Sequence, residues 1–137
     1  MNASTTSFRA AVLFAVAGMI WGIAMVITQN HATMPAHAHL NLLGWVSMFL
    51  FGVFYHLHPT LDRRPAAKAQ VWIWIVANAL TTVAVGLATG GHPEVEPLAG
   101  VGSFALLGDM LLFGWLVVHR DAAEDVAEVR PPAVVTR

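Results

Sequence analysis

The stretch Ala36-His37-Ala38-His39-Leu40-Asn41-Leu42-Leu43-Gly44-Trp45 puts two imidazoles and an amide at the head of an otherwise apolar run. A polar group in hydrocarbon is costly unless something engages it, so this cluster is the first place to look for chemistry. Imidazole is the commonest metal ligand and a usual axial ligand of haem iron. Residues two apart on an α-helix lie about 200° apart around its axis, so His37 and His39 cannot readily chelate one ion together. Each can serve a different cofactor or neighbour, and Asn41, one turn from His37 on the same side, can orient an imidazole. The bland alternative is a pair of histidines merely solvated at a helix end.

The elements that position these residues follow from charge and hydropathy. The chain has 137 residues, 57% of them hydrophobic and 11% charged, with a mean hydropathy of +0.64. No Asp, Glu, Lys or Arg falls between Arg9 and Asp62, a stretch long enough for two membrane crossings joined by a short turn. Two further apolar spans follow, at about 69–89 and 97–118. The expectation is an all-α integral membrane protein with four transmembrane helices filling residues 1–119, and a polar tail over 120–137. The first apolar run, about 10–27, is too long for a signal-peptide core and lies too far from Ala36-His37-Ala38 for that to be its cleavage site.

Basic residues set the expected orientation. Arg9 precedes the first helix, Arg63, Arg64 and Lys68 lie between the second and third, and Arg120 follows the fourth. The connections after the first and third helices hold no Lys or Arg. Positive-inside logic places both termini in the cytoplasm of a bacterial-type inner membrane and the His31–His39 region outside. With no cysteine, disulfides, thiolate metal sites and covalently attached haem are excluded. No phosphate-binding glycine loop, nucleophile–base motif or basic nucleic-acid patch is present.

Other polar residues compete for a role. Gly18 and Gly22 on the first helix have the spacing that lets helices approach closely, and Gly44 and Gly52 share a face of the second. Asp109 falls near the centre of the fourth helix, where a carboxylate faces the bundle or a wet cavity; the choice lies between a structural pairing with Asn78 and a part in proton movement. His56, His58 and His119 share the cytoplasmic side and read as interfacial. His31 and His92 are weaker candidate ligands.

The Ala36–Gly44 stretch resembles the helix of haem–copper oxidase subunit I that carries a His-x-His pair, whose imidazoles serve two different haems. That family's catalytic subunit has twelve membrane helices in three arcs of four, with metal-binding histidines on the second helix of each arc. The resemblance implies a small relative of one arc, with His37 and His39 as haem ligands. No second helix supplies that family's copper histidines or tyrosine. Gly91-His92-Pro93-Glu94-Val95 echoes the copper-histidine helix, but Glu96 stands where the tyrosine would be.

The leading expectation is a haem b protein in electron transfer or in O2 or NO binding; whether it catalyses a reaction is left open. It would be a homo-oligomer, a trimer by first choice, since neighbouring copies could each supply one imidazole to an iron and three copies restore twelve helices. Its environment would be the lipid bilayer, with a respiratory redox partner. A copper-handling protein using His31, Met34, His37, His39 and His92 is the alternative, and an accessory subunit of a respiratory complex is the third.

Overall fold

The computed structural model describes residues 1–120, and the expected tail falls almost entirely outside them. Among the described residues the chain is helical, with four helices long and apolar enough to cross a membrane. These are α1 (Ala3–Thr28), α2 (Met34–Leu57), α3 (Pro65–Thr89) and α4 (Glu96–Val118). A single turn, Pro59–Asp62, links α2 to α3, and a 3-10 turn, Pro93–Val95, leads into α4. Prolines stand in the opening turns of α2, α3 and α4, where a missing N–H costs nothing.

The first helix starts at Ala3, seven residues before the apolar run begins. Its Ser4, Thr6 and Ser7 are buried, and the cap comes from across the bundle. The Asp62 carboxylate accepts the Ser4 backbone N–H at 2.7 Å and its hydroxyl at 3.1 Å. A carboxylate at a helix N-terminus meets both the unpaired N–H groups and the positive end of the helix dipole, which extends the helix into a polar segment.

The second helix is not uniform. Met34–His39 is α-helical, Leu40–Val46 is a π-helix, and Ser47–Leu57 returns to α. Both the backbone N–H and the hydroxyl of Ser47 reach the Leu42 carbonyl five residues back, the latter at 3.0 Å. The widened turn explains a burial pattern that a 3.6-residue repeat would let drift: Ala36, Leu40, Gly44 and Met48 are all buried at successive four-residue steps. The Leu43 carbonyl in this segment accepts the Trp74 indole N–H at 2.8 Å, tying α2 to α3.

Aromatic rings fill the core where α2, α3 and α4 meet. Phe51 packs edge-on against Trp74 at 5.0 Å and lies 4.5 Å from Phe113, which also contacts Phe54 and Tyr55. Such ring pairs add stabilisation beyond the area they bury. The outward surfaces are apolar, with Leu13, Ile27, Leu42, Leu50, Phe104 and Leu111 each at least 60% exposed, as side chains facing lipid tails should be.

Candidate functional site

The seam between α1 and α2 is built on reciprocal glycines. In its upper half, α2 projects side chains onto α1: a methyl at Gly22 would lie 3.0 Å from His37 Cε1, and one at Gly18 would lie 2.7 Å from the Asn41 amide. In its lower half the roles reverse. Phe14 and Phe8 of α1 press on Gly44 and Gly52 of α2 at 2.8 Å by the same measure. The two glycine pairs singled out from sequence thus act as sockets for the facing helix.

His37 and His39 meet different surroundings. His37 is half-buried against Gly22, with Asn41 Nδ2 at 3.4 Å from each of its ring nitrogens. The same amide donates to the His37 carbonyl at 2.9 Å, its well-formed bond. Asn41 therefore braces His37 against α1. His39 is also half-buried, and its Nδ1 lies 2.7 Å from the Pro35 carbonyl. A carbonyl can only accept, so Nδ1 carries a proton, and in the neutral ring Nε2 then keeps its lone pair for a ligand.

That bond alone does not mark a ligand. His58 makes it to the Phe54 carbonyl at 2.7 Å and His119 to the Trp115 carbonyl at 2.9 Å, each four residues back. Both rings also lie against an aromatic side chain, His58 at 4.4 Å from Phe54 and His119 stacked at 4.8 Å on Trp115. His39 stands apart because it makes no such ring contact among the described residues and because the π segment begins at the next residue. Segments of π-helix occur frequently at functional sites.

The remaining candidates are dispersed. His31 is exposed in the turn before α2. His92 pairs with Glu94 at 3.1 Å, both side chains well exposed. Among the described residues no three His, Cys, Asp or Glu side chains gather to hold a metal ion. The outer histidine rim therefore does not converge on a three-ligand set of these types, while axial ligation of a haem needs no such convergence.

Asp109 does not pair with Asn78. Its Oδ2 accepts from Gln70 Nε2 at 2.7 Å, and Gln70 Oε1 accepts the Tyr55 hydroxyl at 2.8 Å, a buried chain linking α2, α3 and α4. The Asn78 amide atoms and Asp109 Oδ1 have no hydrogen-bond partner among the described residues. The sequence reading missed Gln70 and Tyr55. The signal for Gln70 was present: Gln70, Trp74, Asn78 and Thr82 recur every fourth residue, which lines them along one side of α3, and all four are buried.

Comparison with known proteins gives a partial likeness. Over 72 residues, 47% of this chain, it is 32% identical to a cytochrome c oxidase subunit 1 of Thermus thermophilus, covering 65% of that protein. The same identity and length hold against a second, longer cytochrome c oxidase subunit 1 from a named strain of Thermus thermophilus, of which 12% is covered. The chain thus spans less than two thirds of each relative. No family model matches, and no solved structure matches significantly. The likeness supports a distant relationship to haem–copper oxidase subunit I and fits a multi-pass, redox-related membrane protein.

Proposed function

We propose that this chain is a haem b protein of the bacterial inner membrane, with His39 as its first axial ligand and His37, braced by Asn41, as its second. The observation that carries the reading is the His39 setting: its Nδ1 is fixed on the Pro35 carbonyl while, unlike His58, its ring lies against no aromatic side chain among the described residues and the π segment begins at the next residue, in a chain distantly related to haem–copper oxidase subunit I. The donor set fits, since neutral imidazole with a carbonyl acceptor on its second nitrogen is what an axial ligand requires. Haem b there would supply one-electron transfer if both axial positions are imidazole, or O2 or NO binding if one stays open.

The chain's own residues orient and assemble. The π segment sets the register of α2 below His39, and Gly22 lets His37 lie close to α1. Because the two imidazoles diverge, one iron would draw them from neighbouring copies of a homotrimer, with both termini on the cytoplasmic side. Native mass spectrometry in mild detergent should show three times the 14.7 kDa chain plus haem. A monomer carrying six-coordinate haem would defeat this arrangement. The test of the haem itself is absorbance: a Soret band with a sharp reduced α-band is expected, and a colourless preparation that cannot take up haem would sink the proposal. Copper handling through the outer histidines is the competing reading, and copper stoichiometry in the same preparation distinguishes it.

Asp109 has a separate part in this proposal, as the interior group that exchanges a proton. Asn in its place retains an oxygen to accept from Gln70 but holds no titrating proton. Asp109→Asn should keep its haem and fold while the pH dependence of the haem midpoint potential flattens. Haem loss in a folded variant, or an unaltered pH dependence, contradicts the assignment.

A further inference from the structure

We propose that Asn78 and Thr82 form an internal hydration site that holds water beside the π segment of α2, a role independent of haem. Asn78 has no exposed surface and Thr82 is 2% exposed. Asn78 Nδ2 and Oδ1 and Thr82 Oγ1 all lack a hydrogen-bond partner among the described residues. The two residues are one turn apart on α3, hence on one face. Across from Asn78 is Gly44 of the π segment, where a methyl group would lie 3.0 Å from Asn78 Nδ2. One turn away in the other direction, Trp74 fastens to the Leu43 carbonyl of that same segment.

The Thr82 hydroxyl departs from its counterparts. Thr28, Thr81, Thr89 and Ser103 each donate to the carbonyl four residues earlier, at 2.7–2.8 Å. Thr82 makes no such bond and leaves its hydroxyl to the interior.

Chemistry selects the occupant. An anion would call for donors alone and a cation for acceptors alone, whereas this pair offers an NH2 donor, a carbonyl acceptor and a hydroxyl that does both. A small neutral molecule that donates and accepts matches that set, and water is the one every membrane protein meets. Internal waters bind otherwise unsatisfied buried polar groups of this kind, at roughly one per 27 residues, and orphaned polar atoms left dry in such a place carry their full desolvation cost.

Two measurements on the full chain in lipid nanodiscs test this. The first is a structure at a resolution that shows ordered solvent, where density within hydrogen-bonding distance of the Asn78 amide and Thr82 Oγ1 is expected; a dry, fully resolved amide overturns the proposal. The second is a thermal double-mutant cycle with Asn78→Leu and Thr82→Val. If both side chains hold the same water, each single change lowers the midpoint by roughly 5 °C, and the double variant loses clearly less than the sum. A higher midpoint in Asn78→Leu, as expected when a dry orphan amide is removed, or strict additivity, overturns it. Should either variant fail to fold, the solvent density in the unmodified chain decides. Haem content does not enter either result, so failure here and failure of the haem reading are separable.

Discussion

His39→Ala should yield a folded protein that has lost most of its haem, at least about tenfold in Soret absorbance per protein, the largest functional effect expected from a single substitution in this chain. Removing an axial imidazole deletes the bond that anchors the iron, and alanine supplies no replacement donor. The neighbouring geometry makes the comparison sharp. His58 carries the same type of Nδ1 bond to a backbone carbonyl four residues back, yet its ring lies against Phe54, and His58→Ala should leave the spectrum intact. His37→Ala should shift the spin state or lower haem content, and Gly22→Ala should reproduce part of that effect without touching a ligand, because the new methyl would press on His37 Cε1 at 3.0 Å. Unchanged spectra in both histidine variants would remove the pair as ligands and turn attention to His31 and His92.

The four spans were legible because charge is so unevenly placed: nothing ionisable at neutral pH except histidine separates Arg9 from Asp62. The helix ends were harder to read, since their causes are tertiary. Ser4 to Ser7 look like a polar leader until Asp62, in the turn that follows α2, is seen capping Ser4. Nor did the π segment announce itself, because Leu40 to Val46 is an apolar run compatible with either helix type. The wider turn shows only in the structure, where the Ser47 N–H reaches the Leu42 carbonyl five residues back and burial keeps a steady four-residue step.

Within the site, the divergence of His37 from His39 and the closeness of Asn41 to His37 follow from helical spacing alone. The partner of Asp109 did not, because similar depth in the membrane does not determine which faces of two helices meet. Gln70 lies eight residues before Asn78, on the same stripe of α3, and it is Gln70 that reaches Asp109. A polar stripe in an apolar helix shows that the bundle interior is wet or hydrogen-bonded along that line. Pairing along the stripe needs the rotation and offset of the neighbouring helix.

A large stability effect is expected from Gly44→Ala, which should cost about 1–3 kcal/mol by overpacking. The added methyl would lie 2.8 Å from Phe14 Cγ, 2.9 Å from Phe14 Cβ and 3.0 Å from Asn78 Nδ2. Phe14 is met near the root of its side chain, so a rotamer change cannot clear the clash and the α1–α2 seam must open. Gly18→Ala differs in kind, since it meets the end of the Asn41 side chain, which can swing aside at the expense of its bond to His37. Gly108 serves as the control: nothing lies within 4 Å of a methyl there, and alanine is the better helix former by about 0.8–1 kcal/mol, so Gly108→Ala should be neutral or stabilising. Unfolding midpoints in detergent with graded SDS would separate the three. If Gly44→Ala unfolded no earlier than Gly108→Ala, the glycine socket for Phe14, and with it the close approach that seats His37 and Asn41 higher in the same seam, would not hold the helices together.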